Sequence, residues 1–548
     1  MKIIIPMSGQ GHRFKAAGYT TLKPLIEIDG KPIIEHVVNL YPGEKDITFI
    51  CTKEHLASIP AIRPTLQKIA PYGRIVPIDS HKKGPVFAVS QMMDKLPDEE
   101  EVIVSYCDFS SYWDYDDFLN HVRTRDSDGA IPSYKGFHPH MLGTTNYAFM
   151  RDNAQWMEEI REKQPFTNNR MQEFASNGIY YFKKSQYVKK YFQMLLDKNI
   201  NVNGEYYVSL VYNLMVQDGL GVSIYNVQHM LQWGTPEDVE VYKCWSDYFE
   251  KIMELKPKNH MIPKGISVVP LAGHGSRFKC EEYKTPKPLI KVGGKPMVVQ
   301  ATQSLPKTPN YTFICLGEVI ENSDLRGHLE EFFPGCRIVR LEEVTQGQAC
   351  SVEAGLKEEI LDSPLLIGAC DNGMLFDDQQ FFELINDSHL HAVAFSFRHH
   401  PSSKRNPEMY GWLKVDNNNI IRYISVKKPI SDNPFEDHAI VGTFYFKKIS
   451  YFLEALEGLY RKNLRVNNEF YVDSLIGEMV ELGYLVKAFE VEKYICWGTP
   501  NDLKTYEYWQ SFFHKCEWHG YRLEKDPTVN PKSIETMQKE FYNFFQDY

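Results

Sequence analysis

Short apolar runs alternate with amphipathic segments along the whole chain. Runs rich in β-branched residues, such as "KIIIPM" from Lys2 and "DITFICT" from Asp46, predict buried strands. Segments such as "KPIIEHVVNLY" from Lys31 predict the helices between them. The alternation predicts an α/β fold in which helices cover both faces of a mixed, mostly parallel sheet. Ligands of such sheets bind at the carboxyl ends of the strands.

The pattern occurs twice. "IPMSGQGHRF" begins at Ile5 and "VPLAGHGSRF" begins at Val269, and later landmarks keep an offset of 263 or 264 residues up to "WGTPED" and "WGTPND". An offset shared over this span indicates duplication of a whole domain. We predict a first domain over 1–257 and a second over 265–520, separated by a linker rich in proline, lysine and glycine.

Residues 521–548 have no counterpart in the first copy. Four apolar residues recur there at near-helical spacing: Ile534, Met537, Phe541 and Phe545. The spacing predicts a C-terminal helical tail docked on a domain. A helix that binds a partner is the alternative interpretation.

Charge and composition narrow the class of protein. A net charge of −10 argues against duplex nucleic acid or an anionic membrane as the main partner. The sequence has no uninterrupted run of about 18 apolar residues that could span a membrane, and we expect a cytoplasmic protein. The ten cysteines form no C-x-x-C pair, which predicts reduced thiols. A homo-oligomer is compatible with the sequence.

The glycine-rich loop is the first chemical signal. Gly9 and Gly11 directly follow the first predicted strand, so backbone N–H groups can approach a phosphate without interference from side chains. A Rossmann fingerprint would have a third glycine where Phe14 stands, and no G-K-[ST] sequence completes a Walker loop. The loop alone therefore does not define the nucleotide.

The residues that follow the loop are more specific. Arg13 is followed by "KPLI" from Lys23 and then by "GKP", and the second copy repeats this order with Arg277 and "KPLI" from Lys287. In this combination the chain resembles the sugar-phosphate nucleotidyltransferase family, the enzymes that make nucleotide sugars, over nearly all of both copies. The resemblance implies two tandem Rossmann-like domains related to the GT-A fold. It also implies transfer of NMP from an NTP to a sugar or polyol phosphate, with release of pyrophosphate.

The resemblance implies roles for matching residues in both copies. The residues with catalytic roles are Arg13, Lys23, Asp108, Arg277, Lys287 and Asp371. The two aspartates among them would bind Mg²⁺. The nucleotide-binding set is Ser8, Gly9, Gln10, Gly11, Gly84, Ala272, Gly273, His274, Gly275, Gly347 and Gln348. The acceptor-binding set is Lys163, Gly178, Glu205, Lys428, Gly442 and Glu469. Cations and a metal suit this reaction, because it brings two polyanions together.

The chain departs from the family pattern at informative positions. Many relatives have a second metal-binding aspartate where Gln232 and Cys496 stand here, so we predict one protein carboxylate per site. Asp238 and Asp502, six residues further on, are at most indirect substitutes. The first copy has a proline, Pro85, where the second has Gln348, which would let the two copies read different bases.

Several alternatives stay open. The aspartates could cap turns, and the lysines could be solvated surface charges. A GT-A-type glycosyltransferase would normally show D-x-D, whereas the chain has "CDF" and "CDN". One copy could be a silent ligand-binding or assembly domain. The "NGEYYV" and "WGTPED" blocks resemble those of relatives from bacterial capsule and surface-polysaccharide synthesis.

Overall fold

The structure is a computed structural model that describes residues 1–543. These residues form two compact units. The first contains 1–243 and 515–519, and the second contains 244–514 and 520–543. The border between the two units falls inside the helix Pro236–Met253. The domain borders at 257 and 265 remain a prediction from the sequence.

The first unit is built on a ten-stranded mixed sheet. Lys2–Pro6 lies between two parallel neighbours, and its first residue pairs with both Asp46 and Val102. The strands follow in the order Phe174–Ser176, Ala148–Asn153, Trp156–Glu162, Val222–Asn226, Gly129–Tyr134, Ile179–Phe182, Val102–Ser105, Lys2–Pro6, Asp46–Thr52 and Arg74–Ile78. Two small sheets pair Phe109–Tyr112 with His229–Gln232, and Glu27–Ile28 with Lys31–Pro32.

The second unit has a nine-stranded mixed sheet. Seven strands follow in the order Arg337–Leu341, Asn310–Leu316, Ile266–Pro270, Leu365–Ile367, His438–Phe446, Ala392–Phe397 and Val486–Glu490. Off this path, Gly411–Val415 pairs with both His438–Phe446 and Ile421–Val426. Two small sheets pair Asn372–Leu375 with Lys493–Cys496, and Lys291–Val292 with Lys295–Pro296.

The sheets are less parallel than the sequence predicts. In each unit only four adjacent strands and one further pair run parallel, and the remaining pairings are antiparallel. The later part of each copy contributes hairpins. In the first unit the two-residue turn Ala154-Gln155, with φ angles of 51° and 61°, joins two of these strands. This turn lacks the Asn-Gly pair that usually marks such hairpins in a sequence.

Helices cover both faces of the second unit's sheet, as predicted. Adjacent residues Val268 and Val269 point into different apolar clusters because side chains alternate along a strand. One cluster includes residues of the helix Leu325–Phe332, and the other includes residues of the helix Ile449–Lys462.

The helices vary in length from one turn to five. Those of the first copy are His12–Ala16, Ile33–Val38, Lys53–Ser58, Ile62–Ile69, Gly84–Ser90, Tyr115–Thr124, Ser185–Asp197, Val211–Gln217 and Pro236–Met253. Those of the second copy are Ser276–Cys280, Met297–Ser304, Gly317–Glu321, Leu325–Phe332, Gln348–Gly355, Asp378–Ile385, Pro401–Arg405, Ile449–Lys462, Val472–Glu481 and Pro500–Lys515. Over residues 1–543, no helix has the length and apolar character needed to cross a bilayer. No disulfide forms among the ten cysteines, all of which lie within residues 1–543.

The chain after the second copy contains the helix Ile534–Asn543. Three of the four apolar residues noted in the sequence belong to it, and Ile534, Met537 and Phe541 pack with Leu523 and Val529. The fourth, Phe545, lies outside the described residues.

Candidate active site

Each glycine-rich loop leaves the end of a central strand and turns into a short helix. Gly11 and Gly275 adopt left-handed conformations, with φ angles of 63° and 59°, at the start of these helices. A Cβ atom added at Gly9 or Gly273 would meet nothing within 4 Å, so this side of each loop is open. The buried Phe14 anchors the first helix and leaves Arg13 exposed. The loops therefore present backbone N–H groups to a ligand, and an exposed guanidinium group follows each of them.

A lysine–aspartate ion pair lies in each unit. Lys23 donates to Asp108 in the first unit, and Lys287 donates to Asp371 in the second. The aspartates follow central strands that run parallel to the strand before the glycine loop, so loop and carboxylate meet at one sheet edge. Burial opposes ionisation of Asp371, but Lys287 and Arg277 outweigh it and hold the pKa of this carboxyl below its usual value.

Gln232 and Cys496 lie beside Asp108 and Asp371, the aspartates predicted to bind metal. Gln232 pairs in register with Phe109, and Cys496 pairs with Asn372, so each replacement sits across from the residue after the aspartate. Asp502 accepts hydrogen bonds from Thr499 (2.6 Å) and from the Cys496 thiol (3.6 Å).

Asp108 and Asp371 are the carboxylates predicted to bind a divalent cation. Among the described residues, no group of three or more His, Cys, Asp or Glu side chains is arranged to hold a metal. Mg²⁺ commonly binds through one or two carboxylates and takes its other ligands from water and phosphate. Asp108 and Asp371 therefore fit Mg²⁺ that arrives with a nucleotide.

The turns at Gly84 and Gly347 are the base segments, which are predicted to contact the nucleobase. Each docks tightly on the acceptor segment of its unit, which carries Glu205 or Glu469. A Cβ atom at Gly84 would lie 2.9 Å from the backbone N and O of Tyr206, and one at Gly347 would lie 2.5 Å from the backbone N of Phe470. Both glycines have positive φ, 79° and 133°. Backbone hydrogen bonds join the segments, such as Phe470 N to Gln346 O at 2.9 Å. Glycine is required because the two backbones touch.

In the first unit a lysine, a tyrosine and a glutamate form one hydrogen-bonded chain. Lys163 Nζ donates to the Tyr207 hydroxyl at 2.7 Å, and that hydroxyl donates to Glu205. Burial and Glu205 raise the pKa of Tyr207. Tyr207 thus connects two predicted acceptor-binding residues; its signal in the sequence is the tyrosine at the same place in "NGEYYV" and "NNEFYV".

In the second unit, two consecutive lysines follow the hairpin, and the sequence analysis assigns the acceptor-binding role to Lys428. Lys427, and not Lys428, is the structural equivalent of Lys163. Both residues have left-handed backbones, with φ of 59° for Lys163 and 60° for Lys427. Both also place Nζ over a matching ring, with Lys163 4.7 Å from Tyr207 and Lys427 5.7 Å from Tyr471. Lys428 is exposed.

The two acceptor-side glycines also have positive φ, 98° for Gly178 and 92° for Gly442. The carbonyl of Gly178 accepts a hydrogen bond of 2.9 Å from the backbone N–H of Tyr106, close in sequence to Asp108. In the second unit, Asn372 donates its side-chain amide to Val441 O at 2.9 Å. These contacts fix the glycines beside the segment that carries the aspartate.

A cavity of about 530 Å³ in the first unit brings together every candidate residue of the first copy. It is lined by Ser8, Gly9, Gln10, Gly11, Arg13, Lys23, Gly84, Asp108, Lys163, Gly178 and Glu205. Glu162 also lines it, as do Tyr106 and Tyr180, two residues that sequence reasoning had not included.

The second unit is less clearly organised. A cavity of about 650 Å³ lies beside its base segment, with Gln346, Arg465 and Phe470 in its lining, and none of the second copy's candidate residues lines it. Charge interactions nevertheless connect several candidates there. Burial is the largest cause of the lowered pKa of Lys427. Arg277 lowers this pKa further, whereas Glu469 and Asp371 raise it.

Comparison with known proteins agrees with the duplication. A family model described as MobA-like NTP transferase domain matches residues 3–172 and again 267–402, together more than half of the chain. The bifunctional protein GlmU of Staphylococcus epidermidis is 26% identical over 226 residues, which cover 40% of this chain and 47% of GlmU. GlmU of Staphylococcus carnosus is 24% identical over 263 residues, covering 47% and 54%. The chain spans about half the length of these curated relatives.

Two solved structures also resemble parts of the chain. The nucleoside-diphosphate-sugar pyrophosphorylase from Vibrio cholerae RC9 has a TM-score of 0.37 and 20% identity, covering 44% of this chain and 98% of that one. A UDP-glucose pyrophosphorylase complexed with UDP-glucose has a TM-score of 0.37 and 14% identity, covering 46% and 98%. The two matches of the family model, each containing a glycine loop and a lysine–aspartate pair, establish that the chain belongs to the family of MobA-like NTP transferase domains.

Proposed function

We propose that each unit transfers a nucleotidyl group from an NTP to a sugar or polyol phosphate and releases pyrophosphate. One observation carries the proposal: the first unit's cavity holds a glycine loop and a lysine–aspartate pair together with Lys163, a separate cation. Two sets of cations suit two phosphorylated substrates. Membership of the NTP transferase family supports the same reaction.

The chemistry requires positioning more than covalent participation by the protein. An oxygen of the acceptor phosphate forms a bond to the α-phosphorus, and the bond from that phosphorus to pyrophosphate breaks. Arg13 and Lys23 would neutralise the triphosphate, and the glycine-loop N–H groups would orient it. Lys163, held by Tyr207, would align the acceptor phosphate for in-line attack.

Asp108 and Asp371 would hold Mg²⁺ in their respective units. The ion, when bound, screens the charge of the phosphates and of the departing pyrophosphate. The lysine bonded to each aspartate orients that carboxylate, and in the second unit Lys287 also helps to hold the pKa of Asp371 below its usual value.

The identity of the base would depend on the segment around Gly84 and Gly347. Pro85 offers no N–H at the position where Gln348 carries both a backbone donor and a side-chain amide. We infer that the two units differ in base preference. The product would be an activated sugar or polyol for surface-polysaccharide synthesis in the cytoplasm, an inference supported by the "NGEYYV" and "WGTPED" blocks.

Pyrophosphate release tests the proposal. The full chain with Mg²⁺ is incubated with each of CTP, UTP, GTP, ATP and dTTP against a panel of sugar 1-phosphates and polyol phosphates. We expect release that requires one NTP and one acceptor together. A glycosyltransferase would release no pyrophosphate, so the absence of release with every pair would contradict the proposal.

A further inference from the structure

The two units carry a carboxyl group beside the acceptor lysine, but at different positions in the sequence. In the first unit it belongs to Glu162, which precedes Lys163, lines the cavity and accepts a 2.6 Å hydrogen bond from Ser209. In the second unit the residue equivalent to Glu162 is Val426, and the residue equivalent to Ser209 is Asp473.

Strand register confirms this equivalence independently of the sequence offset. Glu162 pairs across the hairpin with Ala148, and Val426 pairs with Gly411. A Cβ atom at Gly411 would lie 2.3 Å from Asp473 Oδ2. The Asp473 carboxyl therefore occupies the space beside this strand that alanine would fill, and Gly411 is needed to accommodate it.

Three positions have thus changed together. The first unit combines Ala148, Glu162 and Ser209, whereas the second has Gly411, Val426 and Asp473 in their places. Loss of a buried carboxyl without replacement would leave the neighbouring lysine without its counter-charge. The second unit keeps a carboxyl near Lys427 by carrying it on the helix Val472–Glu481 instead of on the hairpin.

The electrostatic surroundings of the two carboxyls are alike. Burial raises the pKa of Glu162 to about 7 and that of Asp473 to about 6, and the adjacent lysine opposes the shift in each case. Each carboxyl is desolvated and interacts electrostatically with the lysine proposed to bind the acceptor phosphate. Such a group can both donate and accept hydrogen bonds to hydroxyl groups.

We propose that Asp473 is the acceptor-positioning carboxyl of the second unit, in place of Glu162, and that this relocation makes the two units select different sugar or polyol phosphates. This inference rests on the proposed nucleotidyl transfer. A carboxyl carried by the helix Val472–Glu481 on a shorter side chain approaches the acceptor from a different backbone position and meets a different hydroxyl. Hydrogen bonds of this kind discriminate strongly between acceptors, because an acceptor that lacks the matching hydroxyl leaves the buried carboxyl unpaired.

The test uses the full chain with Asp108→Asn, so that only the second unit is measured. In this background we compare Asp473→Ser with Asp432→Ser, a matched change at an exposed aspartate. We expect Asp473→Ser to raise the KM for the acceptor at least tenfold while the KM for the NTP stays within twofold. Equal acceptor KM values for the two variants would overturn the inference.

A second variant transfers the first unit's arrangement to the second: Gly411→Ala, Val426→Glu and Asp473→Ser together. In the Asp108→Asn chain, we expect this triple variant to restore the acceptor KM and to shift its acceptor preference toward that of the first unit. The preference of the first unit is measured separately, in the Asp371→Asn chain. An unchanged preference in a folded variant would overturn the inference. If Asp473→Ser does not fold, Asp473→Asn, which preserves volume, takes its place with the same criteria. Absence of pyrophosphate release by the wild-type chain would overturn the proposed function as well. Release by the wild type with an unchanged acceptor preference in the variant would overturn this inference alone.

Discussion

At the scale of single residues, the acceptor site depends on which lysine the backbone presents. Two consecutive lysines follow the strand Ile421–Val426 in the second unit, and only Lys427 has the left-handed backbone and the ring contact of Lys163. A charge one residue further along the chain points elsewhere. The general chemistry of the segment could be predicted from the sequence, but the choice between adjacent lysines required the backbone angle.

Lys427→Ala and Lys428→Ala form a matched pair. In a chain where Asp108→Asn silences the first unit, we expect Lys427→Ala to raise the acceptor KM at least tenfold, on the order of 1.4 kcal/mol of lost binding. Lys428→Ala should change it less than twofold, because that side chain is exposed. Steady-state kinetics with a varied acceptor measure both values. The reverse order would show that Lys428 is the binding residue.

Glu162 gives stability a pH dependence. Burial raises its pKa to about 7 from an ordinary value near 4.5, so between these values the folded chain keeps a proton that the unfolded chain has lost. The free energy of unfolding therefore falls as pH rises across this range, by on the order of 3 kcal/mol. Glu162→Gln should remove this contribution.

Thermal unfolding at pH 5 and pH 8 measures the effect. The midpoint of the Glu162→Gln chain should change less between the two pH values than that of the wild type. Glu158→Gln, an exposed glutamate on the same strand, serves as the control and should keep the wild-type pH dependence. The same pH dependence in all three chains would contradict the account.

At the scale of elements, the site depends on two segments that touch through their backbones. The turn at Gly347 packs on the backbone of Phe470 and makes hydrogen bonds with it in both directions. Glu469 lies next to this contact, so the base segment and the acceptor segment hold each other in place. A distortion at the glycine is therefore expected to affect the binding of both substrates.

Gly347→Ala tests this contact. The added Cβ atom would lie 2.5 Å from Phe470 N on a backbone with φ of 133°, and we expect destabilisation by about 2 kcal/mol or more. Gly477→Ala is the control, because its Cβ atom would meet nothing within 4 Å inside the helix Val472–Glu481. That change should be neutral or stabilising by up to about 1 kcal/mol. Denaturant unfolding compares the two, and equal stability would contradict a tight contact.

The sequence predicts some elements better than others. The glycine loops and the ends of the central strands follow from apolar runs and turn residues, which are local signals. The hairpin through Ala154-Gln155 was not predicted, because neither residue normally favours a left-handed turn and tertiary packing imposes it. Asp473 was missed for a related reason: recurrence between copies finds residues that are retained, whereas this carboxyl changed position.

At the scale of the whole molecule, duplication has been followed by divergence within a shared framework. Both units retain the loop, the lysine–aspartate pair and the glycine at the base segment. They differ at Pro85 and Gln348, at Gln232 and Cys496, and at the relocated carboxyl. The retained features are those proposed to bind phosphates, and the changed ones lie where base, metal environment and acceptor would be distinguished. This distribution favours two active units with different substrates.

The most direct test of nucleotidyl transfer by both units is pyrophosphate release from three chains: wild type, Asp108→Asn and Asp371→Asn. Each NTP is supplied with each acceptor in the presence of Mg²⁺. We predict that each variant loses release at least 100-fold for one NTP–acceptor pair and keeps it for another, since each unit has its own carboxylate. Undiminished release of every product by either variant, or no release by the wild type, would contradict the account.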